Sequence, residues 1–139
     1  MNPLALSDEQ FRHLAENLVQ MSADYVSSLD QRQVFPSTSG AETVRLFSEE
    51  LPERGMGENA LAALADVIAH SRAQNGRFFG YVQGSAAPVA ALGDLLASVL
   101  NQNMTAWRSS PAGVTIERTV VRWLAEAIGC SSFSGTLTG

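Results

Sequence analysis

Phe11, Leu14, Leu18, Met21, Tyr25 and Leu29 recur at steps of three and four, and Arg12, Glu16, Asn17, Gln20 and Asp24 stand between them. That period predicts one apolar face of a helix over roughly residues 8–30. Ser7, with Gln10 three residues on, is the pattern of a capping box at its start. A stripe of this length must be covered by its own domain or by a partner. From Val34 to Gly57 the chain is punctuation, first Phe35-Pro36-Ser37-Thr38-Ser39-Gly40 and then Leu51-Pro52-Glu53-Arg54-Gly55-Met56-Gly57. Only a short helix over 41–50 fits between them. Leu61, Leu64 and Ile68, filled in by alanines, predict a helix over 58–74, with Asn75-Gly76 as its stop. Residues 77–85 read as a loop or extended segment carrying Phe78, Phe79 and Tyr81. Pro88 suits the first turn of a further helix, with Leu92, Leu95, Leu96, Val99 and Leu100 as its buried face. Ser110 as cap and Pro111 in the first turn open the last helix, lined by Val114, Val121, Leu124 and Ile128 and ended by Gly129. The tail, 131–139, reads as a loop around Phe133 and Leu137, with room for a short strand. The chain is therefore expected to be mainly α, with about four principal helices. Loops 31–57 and 75–87 are long for a closed bundle.

Composition narrows the function. A length of 139 residues suits one domain with a real core. The net charge is −5, from 14 acidic and 9 basic residues. The basic residues are all arginines, scattered singly, so nucleic-acid binding has no electrostatic support. No run reaches the ~20 apolar residues that cross a bilayer. The first residues lack the pattern of a signal peptide, and the one cysteine, Cys130, excludes an intrachain disulfide framework. The reading is a cytoplasmic protein with no membrane and no nucleic-acid partner. His13, His70 and Cys130 cannot supply four His/Cys ligands to a metal, and no metal site is expected. His13 and His70 read as structural, and Asp94 and Glu117 as solvated or capping residues. There is no lysine. That excludes a phosphate-binding loop with its lysine, and any Schiff base on a lysine of this chain. The residues alone support a helical domain with an interaction surface, since Trp107 and Arg108 are types enriched at contacts.

Several blocks in order carry a resemblance. Phe79-Gly80-Tyr81, a small-residue turn, Pro88 and an Ala/Leu/Gly-rich helix with Asp94 form the first. Trp107-Arg108-Ser109-Ser110-Pro111 followed by Glu117 forms the second, and Val121, Trp123 and Leu124 the third. Ser134-Gly135-Thr136-Leu137-Thr138-Gly139 is the last. From about Phe35 to Gly139 the chain resembles the N-terminal segment of the group II pyridoxal-phosphate-dependent decarboxylases, the family of aromatic amino acid decarboxylase. The resemblance implies a parent with an α/β, fold-type-I aminotransferase-like core, acting as a homodimer that decarboxylates an amino acid to an amine. It implies pyridoxal 5'-phosphate as cofactor, held by a lysine further downstream.

The resemblance also implies site residues. Tyr81, Val82 and Gly84 fall on the segment that lines the substrate, with Gln83 where the family commonly has proline. Asn103 and Thr105 fall where the family reaches into the neighbouring subunit's pocket. They are polar where aromatic amino acid decarboxylase is bulky and apolar, which weighs against an aromatic substrate. No catalytic residue is expected in this chain. Residues 1–110 are expected to form a helical arm for dimerisation with the pocket loop, and 111–139 the start of the cofactor-binding large domain, which would continue where the chain stops. Two other readings stand beside this one: an inert truncation and, ranked below it, a stand-alone helical interaction module.

Overall fold

Ser7 Oγ accepts the Gln10 N–H at 3.1 Å and Gln10 Oε1 accepts the Ser7 N–H at 2.9 Å, so the expected capping box opens helix α1, Asp8–Ser28. The computed structural model describes residues 6–48, 53, 55–82, 84 and 86–137. Among these there are five α-helices and no strand. After α1 come a 3-10 turn at Leu29–Gln31, α2 at Gly40–Phe47, a 3-10 turn at Gly57–Asn59, α3 at Ala60–His70, α4 at Pro88–Leu100 and α5 at Pro111–Ala127. The chain divides into two compact units, Met1–Ala86 and Ala87–Gly139.

In the first unit α1 packs on α3. Leu14, Leu18, Met21, Tyr25 and Leu29 are half-buried there, while Phe11 stays exposed. The short helix α2 has a capping box of its own. Ser39 Oγ accepts the Glu42 N–H at 3.3 Å, and the Ser39 N–H donates to Glu42 Oε2 at 2.8 Å. The Ser39 hydroxyl also bonds that carboxylate, which holds Glu42 below the ordinary glutamate range. The expected helix over 58–74 is shorter, because Ser71 turns extended at φ −91° and ψ 152°. Tertiary bonds take over there. The Ala73 N–H donates to Val34 O at 3.0 Å. Asn75, 6% exposed, donates from Nδ2 to Leu29 O at 2.9 Å and to Arg32 O at 3.0 Å, and accepts the Arg77 N–H at 3.1 Å. Asn75 is thus a clasp between the end of α1 and the loop after α3, rather than a helix stop. Asn75→Ala removes the three hydrogen bonds of this buried side chain and is expected to destabilise this unit by about 2 kcal/mol. Urea unfolding checks it; an unchanged midpoint would show that the clasp contributes nothing.

In the second unit Pro88 stands in the first turn of α4, as expected, and Asn101 ends the helix in the left-handed region at φ 45°. The expected buried face is not buried. Leu92, Leu95, Leu96, Val99 and Leu100 are all exposed, because nothing else among the described residues of this unit covers them. Helix α5 begins at Pro111, but the Ser110 hydroxyl makes no cap bond. Ser110 is instead buried beside Gly113, where a Cβ would lie 2.5 Å from both Ser110 Oγ and Met104 Sδ. Gly113 therefore permits a close approach that any larger residue would relieve only by shifting Ser110 and Met104. Val114 and Ala125 are the buried apolar residues of α5, while Leu124 and Ile128 of the expected stripe are exposed. Gly129, at φ 75°, ends the helix region as expected.

Candidate functional site

In the first unit the loop after α3 is built around aromatic rings. Phe78 stands edge-on to Phe35 at 6.2 Å between centroids, and tilted against Tyr81 at 6.0 Å. The Arg72 guanidinium lies 4.4 Å from the centre of the Phe78 ring and 5.1 Å from that of Tyr81. A Cβ on Gly80 would come within 2.8 Å of Phe78 Cζ, so glycine lets the ring fold over the backbone. Tyr81 then takes φ 62°, the left-handed region. A tyrosine held there costs on the order of 1 kcal/mol or more, and such strain concentrates at functional segments. Arg77 anchors the loop from its other side, donating to the carbonyls of Asp30 and Arg32.

The expected site residues of this unit are consequently displayed rather than enclosed. Tyr81 is 80% exposed, and Phe79, Val82 and Gly84 are exposed too. Gln83 lies outside the described residues. A groove of about 180 Å³ runs beside this loop, lined by Tyr25, Arg32, Phe35, Ile68 and Ala73, but not by Tyr81 or Val82. The histidines have local structural partners. His13 Nε2 meets Asn17 Nδ2 at 3.2 Å, His70 Nδ1 meets Asp66 O at 2.8 Å, and the His70 ring stands edge-on to Phe47.

In the second unit Asn103 and Thr105 come together. Asn103 Oδ1 accepts the Thr105 N–H at 2.9 Å and the Thr105 hydroxyl at 2.7 Å, a local turn at the exposed surface. The tail folds back on α5. Glu117 Oε1 accepts the Thr136 hydroxyl at 2.7 Å and the Leu137 N–H at 2.8 Å. Residues 134–137 form no strand, and 138–139 lie outside the described residues. The Thr136 hydroxyl first, and the Leu137 N–H second, hold the Glu117 carboxyl below the ordinary glutamate range. A depressed folded-state pKa stabilises above the ordinary value, and that contribution is lost as pH falls through the lowered one. The tail is expected to release only below the usual glutamate pKa. The Leu137 amide shift, followed by NMR from about pH 6 to pH 3, checks it; the step should vanish in Glu117→Gln.

Asn75, Arg72 and the Glu117 clasp are the organising residues that pattern reading missed. Asn75 bonds residues more than forty positions away, so no local signal marks it. Arg72 is visible only as an arginine shortly before Phe78 and Tyr81.

Residues 42–139 match the model of the pyridoxal-dependent decarboxylase conserved domain. The chain belongs to the pyridoxal-dependent decarboxylase family. It is 33% identical over 132 residues to tyrosine decarboxylase of Oryza sativa subsp. japonica, covering 90% of this chain and 24% of that protein. It is 30% identical over 128 residues to histidine decarboxylase of Drosophila melanogaster, covering 87% of this chain and 15% of that one. Catharanthus roseus tryptophan decarboxylase, crystallised with L-tryptophan, superposes with a TM-score of 0.73 at 25% identity, over 91% of this chain and 27% of that one. Mouse CSAD in apo form shares the fold, with a TM-score of 0.82 at 20% identity, over 95% of this chain and 29% of that one. The chain thus spans about a quarter or less of the curated relatives named here.

The family depends on pyridoxal phosphate, and the structure of Oryza sativa TDC, which shares the fold, carries PLP and tryptamine. The residues of this chain do not make that cofactor's site by themselves. There is no lysine to carry it. Both histidine rings lie against their own helices, and Tyr81, Asn103 and Thr105 are exposed.

Proposed function

We propose that this chain supplies the N-terminal helical segment of a cytoplasmic, homodimeric pyridoxal-phosphate-dependent decarboxylase, which converts an amino acid to an amine and carbon dioxide. The observation that carries this reading is a family match over 42–139 in a chain that has no lysine and spans about a quarter of its rice relative. Lysine, cofactor and catalytic groups then come from sequence outside these residues. The bound cofactor supplies an electron sink for the carbanion left by decarboxylation. The chain's own part is to shape the pocket, orient the amino acid and exclude water. Residues 1–110 act as the arm and pocket loop, and 111–139 as the start of the large domain.

Tyr81, Val82 and Gly84 line the substrate in this reading, and Asn103 and Thr105 serve the partner's pocket. Support comes from their exposure: a pocket wall completed by other parts of an enzyme has to be uncovered in this segment alone. The polar Asn103–Thr105 turn favours a substrate less apolar than an aromatic amino acid. In the complete enzyme, Tyr81→Ala is expected to lower kcat/KM about tenfold or more while cofactor absorption and melting temperature hold. Tyr81→Phe shows whether the hydroxyl takes part. If Tyr81→Ala unfolds the enzyme and Tyr81→Phe is kinetically silent, the residue is structural and the pocket lies elsewhere.

A further inference from the structure

The positive φ of Tyr81 fixes where its Cα–Cβ bond points, but leaves the ring free to turn about two side-chain torsions. Its hydroxyl has no hydrogen bond to any described residue, so ring contacts hold it. Those contacts are Phe78 at 6.0 Å and the Arg72 guanidinium at 5.1 Å. Arg72 touches both rings, lying 4.4 Å from the centre of Phe78, which Phe35 supports in turn. A planar guanidinium can stack on two rings, which a lysine ammonium does less well. We propose that Arg72 is the positioning residue of the aromatic loop: it holds the Tyr81 ring in one orientation, through the order Phe35, Phe78, Arg72, Tyr81. The consequence for substrate rests on the reading of Tyr81 as a pocket residue. Arg72 then acts on the reaction through that ring, and sets which side chains the loop accepts.

Labelling the chain with 3-fluorotyrosine tests this, because it has two tyrosines, Tyr25 and Tyr81. Tyr25→Phe and Tyr81→Phe assign the two fluorine signals. Tyr25 lies under a different arginine, Arg32, at 4.7 Å, and reports on the same folded unit. Arg72→Met is expected to move the Tyr81 signal to the position and width of free fluorotyrosine, with the Tyr25 signal unchanged. The proposal is overturned if the Tyr81 signal stays put, if it is already at the free position in the unsubstituted chain, or if both signals collapse together. In the complete enzyme, Arg72→Met should raise KM about threefold, the size expected from losing one exposed cation–π contact. That change should vanish on a Tyr81→Ala background. A kinetic effect of Tyr81→Ala without one of Arg72→Met overturns the role of Arg72 and leaves the pocket reading intact. A silent Tyr81→Ala removes the pocket reading, while the fluorine result still decides whether Arg72 holds the ring.

Discussion

Incubated with pyridoxal phosphate and amino acids, the 139-residue chain is expected to release no carbon dioxide and to trap no cofactor on a side chain. The reason is chemical. Family chemistry begins with a lysine amine that attacks the cofactor aldehyde, and the chain has no lysine. Its nine basic residues are arginines, whose guanidinium stays protonated and delocalised at any accessible pH. Borohydride reduction followed by peptide mass spectrometry separates side-chain adducts from reaction at the terminal amine. Either carbon dioxide in step with protein concentration or a reduced adduct on a side chain would sink this expectation. The same chain joined to the remainder of a family enzyme should regain both.

The isolated chain is also expected to self-associate at roughly tens to hundreds of micromolar. Helix α4 is apolar nearly all round, with Asp94 and Ser98 as its polar side chains, and helices of that kind are normally buried. Yet Leu92 and Leu96 are each 59% exposed, and Leu95, Val99 and Leu100 are exposed with them. Covering such half-exposed side chains recovers roughly 1 kcal/mol apiece. A two-fold contact counts both copies, so roughly 10 kcal/mol stands against an association cost of about 4–15 kcal/mol, and at the low end of that cost about 6 kcal/mol remains, a dissociation constant of roughly tens of micromolar. Sedimentation velocity should show species larger than the monomer, and Leu92→Glu with Leu96→Glu should return the monomer while helicity holds. A sharp monomer with a cooperative melt in the unsubstituted chain would show that α4 needs no cover.

Local chemistry accounts for what was legible in the sequence. Ser7 with Gln10, Pro88, Pro111 and Gly129 mark helix ends because their caps and fixed or permissive backbone angles act within a few residues. The 3.6-residue period gave the face of α1 for the same reason. The absence of lysine needs no fold at all, and the order of the aromatic, Trp-Arg and Ser-Pro blocks pointed to the family that the match over 42–139 then established. Burial was another matter. The apolar positions of α4 predict a covered face, but period tells which residues share a side and not whether anything lies against it. Likewise α3 stops at His70 because bonds from Ala73 and Asn75 to residues 29–34 outweigh further helical turns. The pairings of Asn75 with the 29–32 turn and of Glu117 with Thr136 and Leu137 join positions 19 or more residues apart. The Arg72–Phe78–Tyr81 stack joins nearer positions, but only through an untypical backbone angle at Tyr81. Sequence by itself determined which segments are helical, the capped start of α1, the proline starts of α4 and α5, the family and the missing lysine. The clasps, the displayed aromatic loop and the uncovered face of α4 were decided by the tertiary structure, because they depend on which distant groups meet, and no local pattern encodes that.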